Sequence, residues 1–227
     1  CQGALPVATP SDFPLARLSA SQLAALDVPG VSDIYPASPA QQGIVFHALA
    51  ESGLGLYVDQ LRIVFGRRLD AKRLRAAWES AIQRHDVLRT RFEWRHGGEP
   101  LQVVMKSAPL ELSEQAAITG ADYEAQVRGL LAADLALGVE LDRAPLMRLQ
   151  LLQRPDGAHD LVWTSHHALL DGWSTTQLLA EVLDVYRGVA LPVTEPPPYR
   201  EYVAWLGARH HDRSWWQARF SARREPD

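Results

Sequence analysis

From Leu74 onward the apolar residues Leu74, Ala77, Trp78 and Ile82, with His85 following, recur every three or four positions, which predicts a helix with one buried stripe, capped by Asp70. Ser38-Pro39-Ala40-Gln41 carries three helix-start signals at once: a Ser cap, Pro at the first helical position, and Gln at the capping-box position. That helix is expected to run to about Ala50. Tyr57 to Phe65 places Val58, Leu61 and Val64 among polar residues in an imperfect strand pattern closed by Gly66. Arg89–Trp94 and Leu101–Met105 read as strands joined through His96-Gly97-Gly98, and Leu146–Leu152 and Leu161–His166 as strands around Pro155-Asp156-Gly157.

The remaining elements follow the same logic. Ser19 or Ser21 caps a short helix to Leu26, ended by Pro29-Gly30, and residues 121–137 are helical by pattern. Ser174 opens a helix to Tyr186 stopped by Gly188. Leu191–Pro198, with four prolines, is an extended crossover, and Tyr199 to about Arg219 is an aromatic-rich helix. Residues 1–17 hold three prolines without periodicity and read as a linker, so the folded unit is placed at 18–227. Helices alternating with mostly hairpin-linked strands argue for an α/β (α+β) fold: a mixed, largely antiparallel sheet covered by helices.

Composition narrows the function classes. At 227 residues, with 47% hydrophobic and 22% charged residues, the chain has the balance of a globular protein able to bury a core. A net charge of −4 with dispersed Lys and Arg gives no basic stripe, so nucleic acid is not expected as a partner. The sole cysteine, Cys1, supplies neither a disulfide framework nor a thiolate metal site, which suits a reducing cytoplasmic setting. No stretch approaches the roughly 20 apolar residues of a membrane helix, and neither membrane association nor a bound cofactor is expected.

The candidate chemistry lies in His166-His167-Ala168-Leu169-Leu170-Asp171-Gly172. An apolar strand delivers two histidines to its end, just before a helix, where site residues concentrate. Histidine titrates near neutrality and can take a proton from an attacking amine or alcohol and return it to a leaving group. Adjacent positions on a strand face opposite ways, so at most one histidine faces a cleft while the other faces the packed side. Asp171 either holds an imidazole in one tautomer or clamps the loop by pairing with an arginine, and Gly172 permits a sharp turn or close approach to a ligand. His47, His85, His96 and His159 are read as packing or surface residues, and the adjacent His210-His211-Asp212 do not converge as a metal site.

The segment matches the HHxxxDG signature of condensation domains of nonribosomal peptide synthetases, and three further segments resemble that family's motifs in the same order. They are Ser38-Pro39-Ala40-Gln41-Gln42-Gly43, Arg84 to Phe92 (RHDVLRTRF) and Tyr199 to Leu206 (YREYVAWL). Thr9 to Leu15 resembles the stretch that follows a carrier domain. The resemblance implies the N-terminal half of a two-lobed, chloramphenicol-acetyltransferase-like fold with a tunnel between its lobes. Donor and acceptor thioesters would arrive on phosphopantetheine arms of peptidyl carrier domains, with an adenylation domain adjacent, and the acceptor amine would attack the donor carbonyl.

The same resemblance makes His167 the functional histidine, with His166 beside or behind it and the Gly172 N–H near the reacting carbonyl. It implies that Asp171 pairs with an arginine of the second motif, Arg89 first and Arg84 second. The later motifs and the C-terminal lobe lie outside these residues, so the isolated lobe is expected to be inactive. Rival readings are a coenzyme A-dependent HxxxD acyltransferase, an epimerisation domain, or a carrier-docking scaffold. Thr175 after Asp171-Gly172-Trp173-Ser174 departs from the DGxSW of epimerisation domains, and His166 excludes heterocyclisation.

Overall fold

The computed structural model describes residues 8–26, 29–51, 55–115 and 122–209. Two sheets carry the fold. Strands β1 (Val31–Pro36), β3 (Thr90–Glu93) and β4 (Leu101–Met105) form a three-stranded antiparallel sheet in the order β1-β4-β3. Strands β2 (Val58–Phe65), β5 (Leu112–Gln115), β6 (Met147–Gln153) and β7 (His159–His166) form the larger sheet in the order β2-β7-β6-β5, antiparallel except for β5 beside β6. Six helices cover them: α1 (Ala20–Leu26), α2 (Pro39–Ala50), α3 (Ala71–Arg84), α4 (Tyr123–Ala136), α5 (Gly172–Arg187) and α6 (Tyr199–Ala208).

Strand alternation decides which helix lies on which face of the larger sheet. Leu161 and Trp163 of β7, with Leu149 and Leu151 of β6, join the main core with Leu74, Trp78 and Ile82 of α3 and Leu178 and Val182 of α5. Trp78 and Trp163 meet edge to face, ring centres 4.8 Å apart, the geometry their quadrupoles favour. On the opposite face Val162 and Leu152 pack against Val127 of α4. β7, between two partner strands and two helical layers, is buried along all eight residues.

Both hairpins and most helices form as the pattern predicts. The Ser38 capping box is present with both reciprocal bonds, and Asp70 caps α3 by accepting the Arg73 N–H. Two strands escaped the sequence pattern. β1 carries Asp33 and Pro36, and β5 exposes three of its four residues, so neither shows the expected alternation. Among the described residues, β5, α4 and β6 make the one parallel crossover. Helix α5 begins at Gly172 with Asp171 as its cap, two residues before the predicted Ser174 start, because an aspartate at that place can receive the Ser174 N–H. Helix α6 ends at Ala208; the rest of the predicted helix, with Trp215, Trp216 and His210-His211-Asp212, lies outside the described residues.

Phe13 and Ala16, inside the predicted linker, are buried with Leu18, Leu23, Ile34, Leu101 and Val103 against the smaller sheet. Packing therefore begins before residue 18, since an apolar pair of this kind stabilises by leaving water whatever its position in sequence.

Arg89 stitches the two sheets' neighbourhoods together. Its guanidinium donates to the carbonyls of Ile82 and Gln83 at 2.8 Å each, to Met105 O at 3.0 Å and to Asp86 at 2.6 Å. The first two are orphan carbonyls at the C-terminus of α3, where a cation is favoured. Arg89→Met keeps most of the volume but leaves the buried Ile82 carbonyl and three part-buried acceptors without their donor, so it is expected to lower unfolding free energy by about 2–3 kcal/mol. Urea unfolding checks this; a loss under about 1 kcal/mol would contradict the role.

Candidate functional site

The larger sheet ends where β2 begins and β7 stops. The His166 N–H donates to Leu146 O at 3.0 Å, and the His167 N–H to Tyr57 O at 2.7 Å, so the HHALLDG loop leaves the sheet held from both sides. Tyr57 has φ +61, a left-handed conformation that a bulky residue adopts only at a cost of order 1–2 kcal/mol. The conformation turns its carbonyl onto His167. Beyond the strand, Leu169 N–H donates to His166 O at 3.0 Å, closing a tight turn.

Helix α2 supports the turn from the other side. The buried Gln41 amide donates to Ala168 O at 2.9 Å and to the Gln102 side chain at 3.1 Å. The capping-box residue of the first motif is thus also a strut beneath the histidine loop, joining it to the smaller sheet. Ala168, Leu169 and Leu170 are buried in the main core.

The two histidines separate as strand alternation requires. His166, two positions after Thr164, shares the face covered by α4; it is only 2% exposed and its Nδ1 accepts the Ala168 N–H at 3.1 Å. Burial pushes its pKa down to about 4, with the charge of His167 adding in the same direction. The ring is neutral at physiological pH and is occupied in holding the loop, so His166, named with His167 as a candidate catalytic residue, lies on the packed side behind the loop. His167 has its side chain 40% exposed and its Nδ1 lies 2.7 Å from Asp59 Oδ2. Asp59, the second residue of β2, was missed in the sequence. Its only signal there was a carboxylate near the start of an irregular strand.

Asp171 does not pair with Arg89 or Arg84. It is exposed, and its Oδ1 accepts the Ser174 N–H at 2.7 Å as the cap of α5. That bond is the main cause holding its carboxyl below the ordinary range. The expected arginines are spent elsewhere. Arg89 holds the end of α3, and Arg84 donates to Thr194 O at 2.7 Å and flanks Glu181 and Glu195 at 3.8 Å each. Both fix helix ends and the crossover; neither reaches the loop's acid.

Gly172 is the first residue of α5, its φ outside the left-handed range, and a Cβ built there would meet nothing within 4 Å. Nothing in the fold demands a glycine at this place. One groove reaches Leu169, Leu170 and Ser174, together with His85 and Glu181; His167 is not among its lining residues. Trp173 beside it is 76% exposed. No helix of the described residues is long and apolar enough to cross a membrane.

This arrangement resembles known proteins in sequence and in shape. A family model described as "Condensation domain" matches residues 31–226. Chondramide synthase cmdD of Chondromyces crocatus is 35% identical across 87% of this chain and 6% of its own length. Bacitracin synthase 3 of Bacillus licheniformis is 28% identical across 92% of this chain and 4% of its own. Among solved structures, the starter condensation domain of the rhizomide synthetase superposes with a TM-score of 0.74 at 21% identity, covering 86% of this chain and 50% of that one. The first condensation domain of the calcium-dependent antibiotic synthetase superposes with a TM-score of 0.71 at 19% identity, again over half its length. The chain therefore spans about half of these solved chains and a few per cent of the curated relatives.

Two outcomes follow from the geometry. Asn caps a helix about as well as Asp, so Asp171→Asn is expected to stay soluble and change stability by less than about 1 kcal/mol, while Asp171→Ala costs about 1 kcal/mol. Insolubility of Asp171→Asn in expression trials would contradict this and restore a buried ion pair. For His166 the folded pKa lies below the unfolded value of 6.5, so the unfolded chain binds the extra proton; stability from this ring is present above that value and lost as pH falls towards 4. Across that window the wild type should lose about 3 kcal/mol more than His166→Gln. Equal losses in urea titrations at the two pH values would contradict it.

Proposed function

The chain belongs to the condensation-domain family, and from that premise we propose that it forms the catalytic-histidine lobe of a domain that joins two carrier-bound acyl groups through an amide bond. The observation that carries the reading is the state of the HHALLDG loop. Its backbone is anchored at His167 by Tyr57 and at Ala168 by Gln41, while of its two imidazoles only His167 is exposed. An enzyme that positions a reacting amine needs such a ring, held by a rigid backbone and open on one side.

In the reaction proposed, the acceptor amine nitrogen attacks the donor thioester carbonyl. The new C–N bond forms, the C–S bond breaks, and the amine proton passes by way of His167 to the departing pantetheine thiolate. An amine is already nucleophilic, so His167 acts chiefly by orienting it and by taking the proton as the tetrahedral intermediate forms. The space before Gly172 is where a thioester arm has room to approach a backbone N–H, and that N–H suits a developing oxyanion.

The substrates would be carried on phosphopantetheine arms of donor and acceptor carrier domains, with an adenylation domain as neighbour, in the cytoplasm. The relatives' names, synthases of chondramide and bacitracin, support a biosynthetic context. The His167 side chain is 40% exposed, and the solved condensation chains are about twice as long. The working unit is accordingly proposed to be this lobe, residues 18–227 with the packed segment before it, together with a second, C-terminal lobe that closes over His167.

One assay tests the reading: carriers loaded with donor and acceptor are mixed with the complete two-lobed domain, with its His167→Ala variant, or with this chain alone. The complete domain should form amide, the variant should be slower by about 100-fold or more, and the chain alone should give none above background. Full activity of His167→Ala would favour a carrier-docking scaffold, and amide formation by the chain alone at the rate of the complete domain would refute the need for a second lobe.

A further inference from the structure

We infer that Asp59 is the positioning residue of His167, fixing its tautomer so that Nε2 is the nitrogen that meets the acceptor amine; this rests on the function proposed above. An ionised carboxylate only accepts hydrogen bonds, so a contact of 2.7 Å between Asp59 Oδ2 and His167 Nδ1 places a proton on Nδ1. In the neutral imidazole the lone pair then belongs to Nε2. It is the only side-chain hydrogen bond of His167 among the described residues, so no other group competes to set the tautomer.

Position supports the assignment. Asp59 pairs with Ser165 in the β2–β7 register, and the same stretch of chain supplies the Tyr57 carbonyl that holds the His167 backbone. One short segment, Tyr57 to Asp59, thereby fixes both the main chain and the ring of the histidine. The Tyr57 bond fixes the His167 main chain, and the Asp59 bond orients the ring upon it.

The acid that sequence had offered for this duty, Asp171, is occupied by the Ser174 N–H and makes no hydrogen bond to His167. Electrostatics alone would not justify Asp59, since its side chain is 62% exposed and an ion pair between two exposed groups contributes little in water. The contribution is orientation. It grows when a second lobe removes solvent, and the carboxylate then also offsets the charge of the imidazolium that forms as the amine proton is taken.

The test uses the complete two-lobed domain labelled with ¹⁵N-histidine, and compares Asp59→Ala, Asp59→Asn and His167→Ala. The exposure of Asp59 means that neither of its substitutions should disturb folding, which a thermal melt confirms. In the wild type the His167 nitrogens should report the Nδ1–H tautomer. Asp59→Ala should give a mixture of tautomers and lower kcat by about 10- to 100-fold with KM for both loaded carriers unchanged. Asp59→Asn keeps an acceptor and should retain the Nδ1–H tautomer with a smaller loss of kcat.

An unchanged tautomer and unchanged kcat in Asp59→Ala, in a domain where His167→Ala is inactive, would overturn the inference and leave the proposed function standing. Full activity of His167→Ala would instead overturn the function on which it rests. A fall in carrier affinity with kcat intact would also overturn it, by making Asp59 a docking residue.

Discussion

The structure depends on β7 being a fully buried strand that stops at the molecular surface. Eight consecutive buried residues, paired on both edges and covered on both faces, give a segment with almost no freedom to shift register. A slip by one residue would take Trp163 off Trp78 and Thr164 off Asp134, exchanging an apolar face for a polar one. The histidine pair at its end inherits that rigidity. The strain at Tyr57 is tolerable for the same reason, because the surrounding ladder determines where that carbonyl must point.

Polar groups divide their work between the two faces. On the α4 face, Asp134 receives bonds from Arg148, Gln60, Gln150 and Thr164, and Asp160 is bonded by Arg62, Arg154 and Tyr123. Buried charges of this kind survive only when every oxygen is satisfied, and here they lock α4 against the sheet. On the α3 and α5 face Leu161 and Trp163 carry an apolar core, with Ser165 following, and His167 comes beyond the strand end with its side chain 40% exposed. The histidine loop is therefore a polar edge on an apolar layer, braced by Gln41 from α2 and continuous with α5 through the Asp171 cap.

Much of this was legible in the chain. The Ser38 box, the Asp70 cap, the α3 stripe and the two hairpins are local patterns, and local chemistry decided them. β1 and β5 were illegible because one carries a proline and a charge and the other is mostly exposed, so their pairing is written in partner strands far away in sequence. At the site, opposite facing of His166 and His167 follows from strand geometry. The Asp171–arginine pair did not form, since Arg89 satisfies α3 carbonyls that no single motif advertises, and Asp171 finds a nearer donor in Ser174. Asp59 was hidden because contact between residues 108 apart leaves no local trace.

His167, and not His166, is the imidazole proposed to meet the substrate amine. A crystal structure of the complete two-lobed domain with a stable aminoacyl-pantetheine analogue in its acceptor channel measures this most directly. The expected result is an amine nitrogen at about 3 Å from His167 Nε2, with His166 still buried behind the loop. An amine bound away from His167, or contacted by His166 after the loop has turned over, would contradict it.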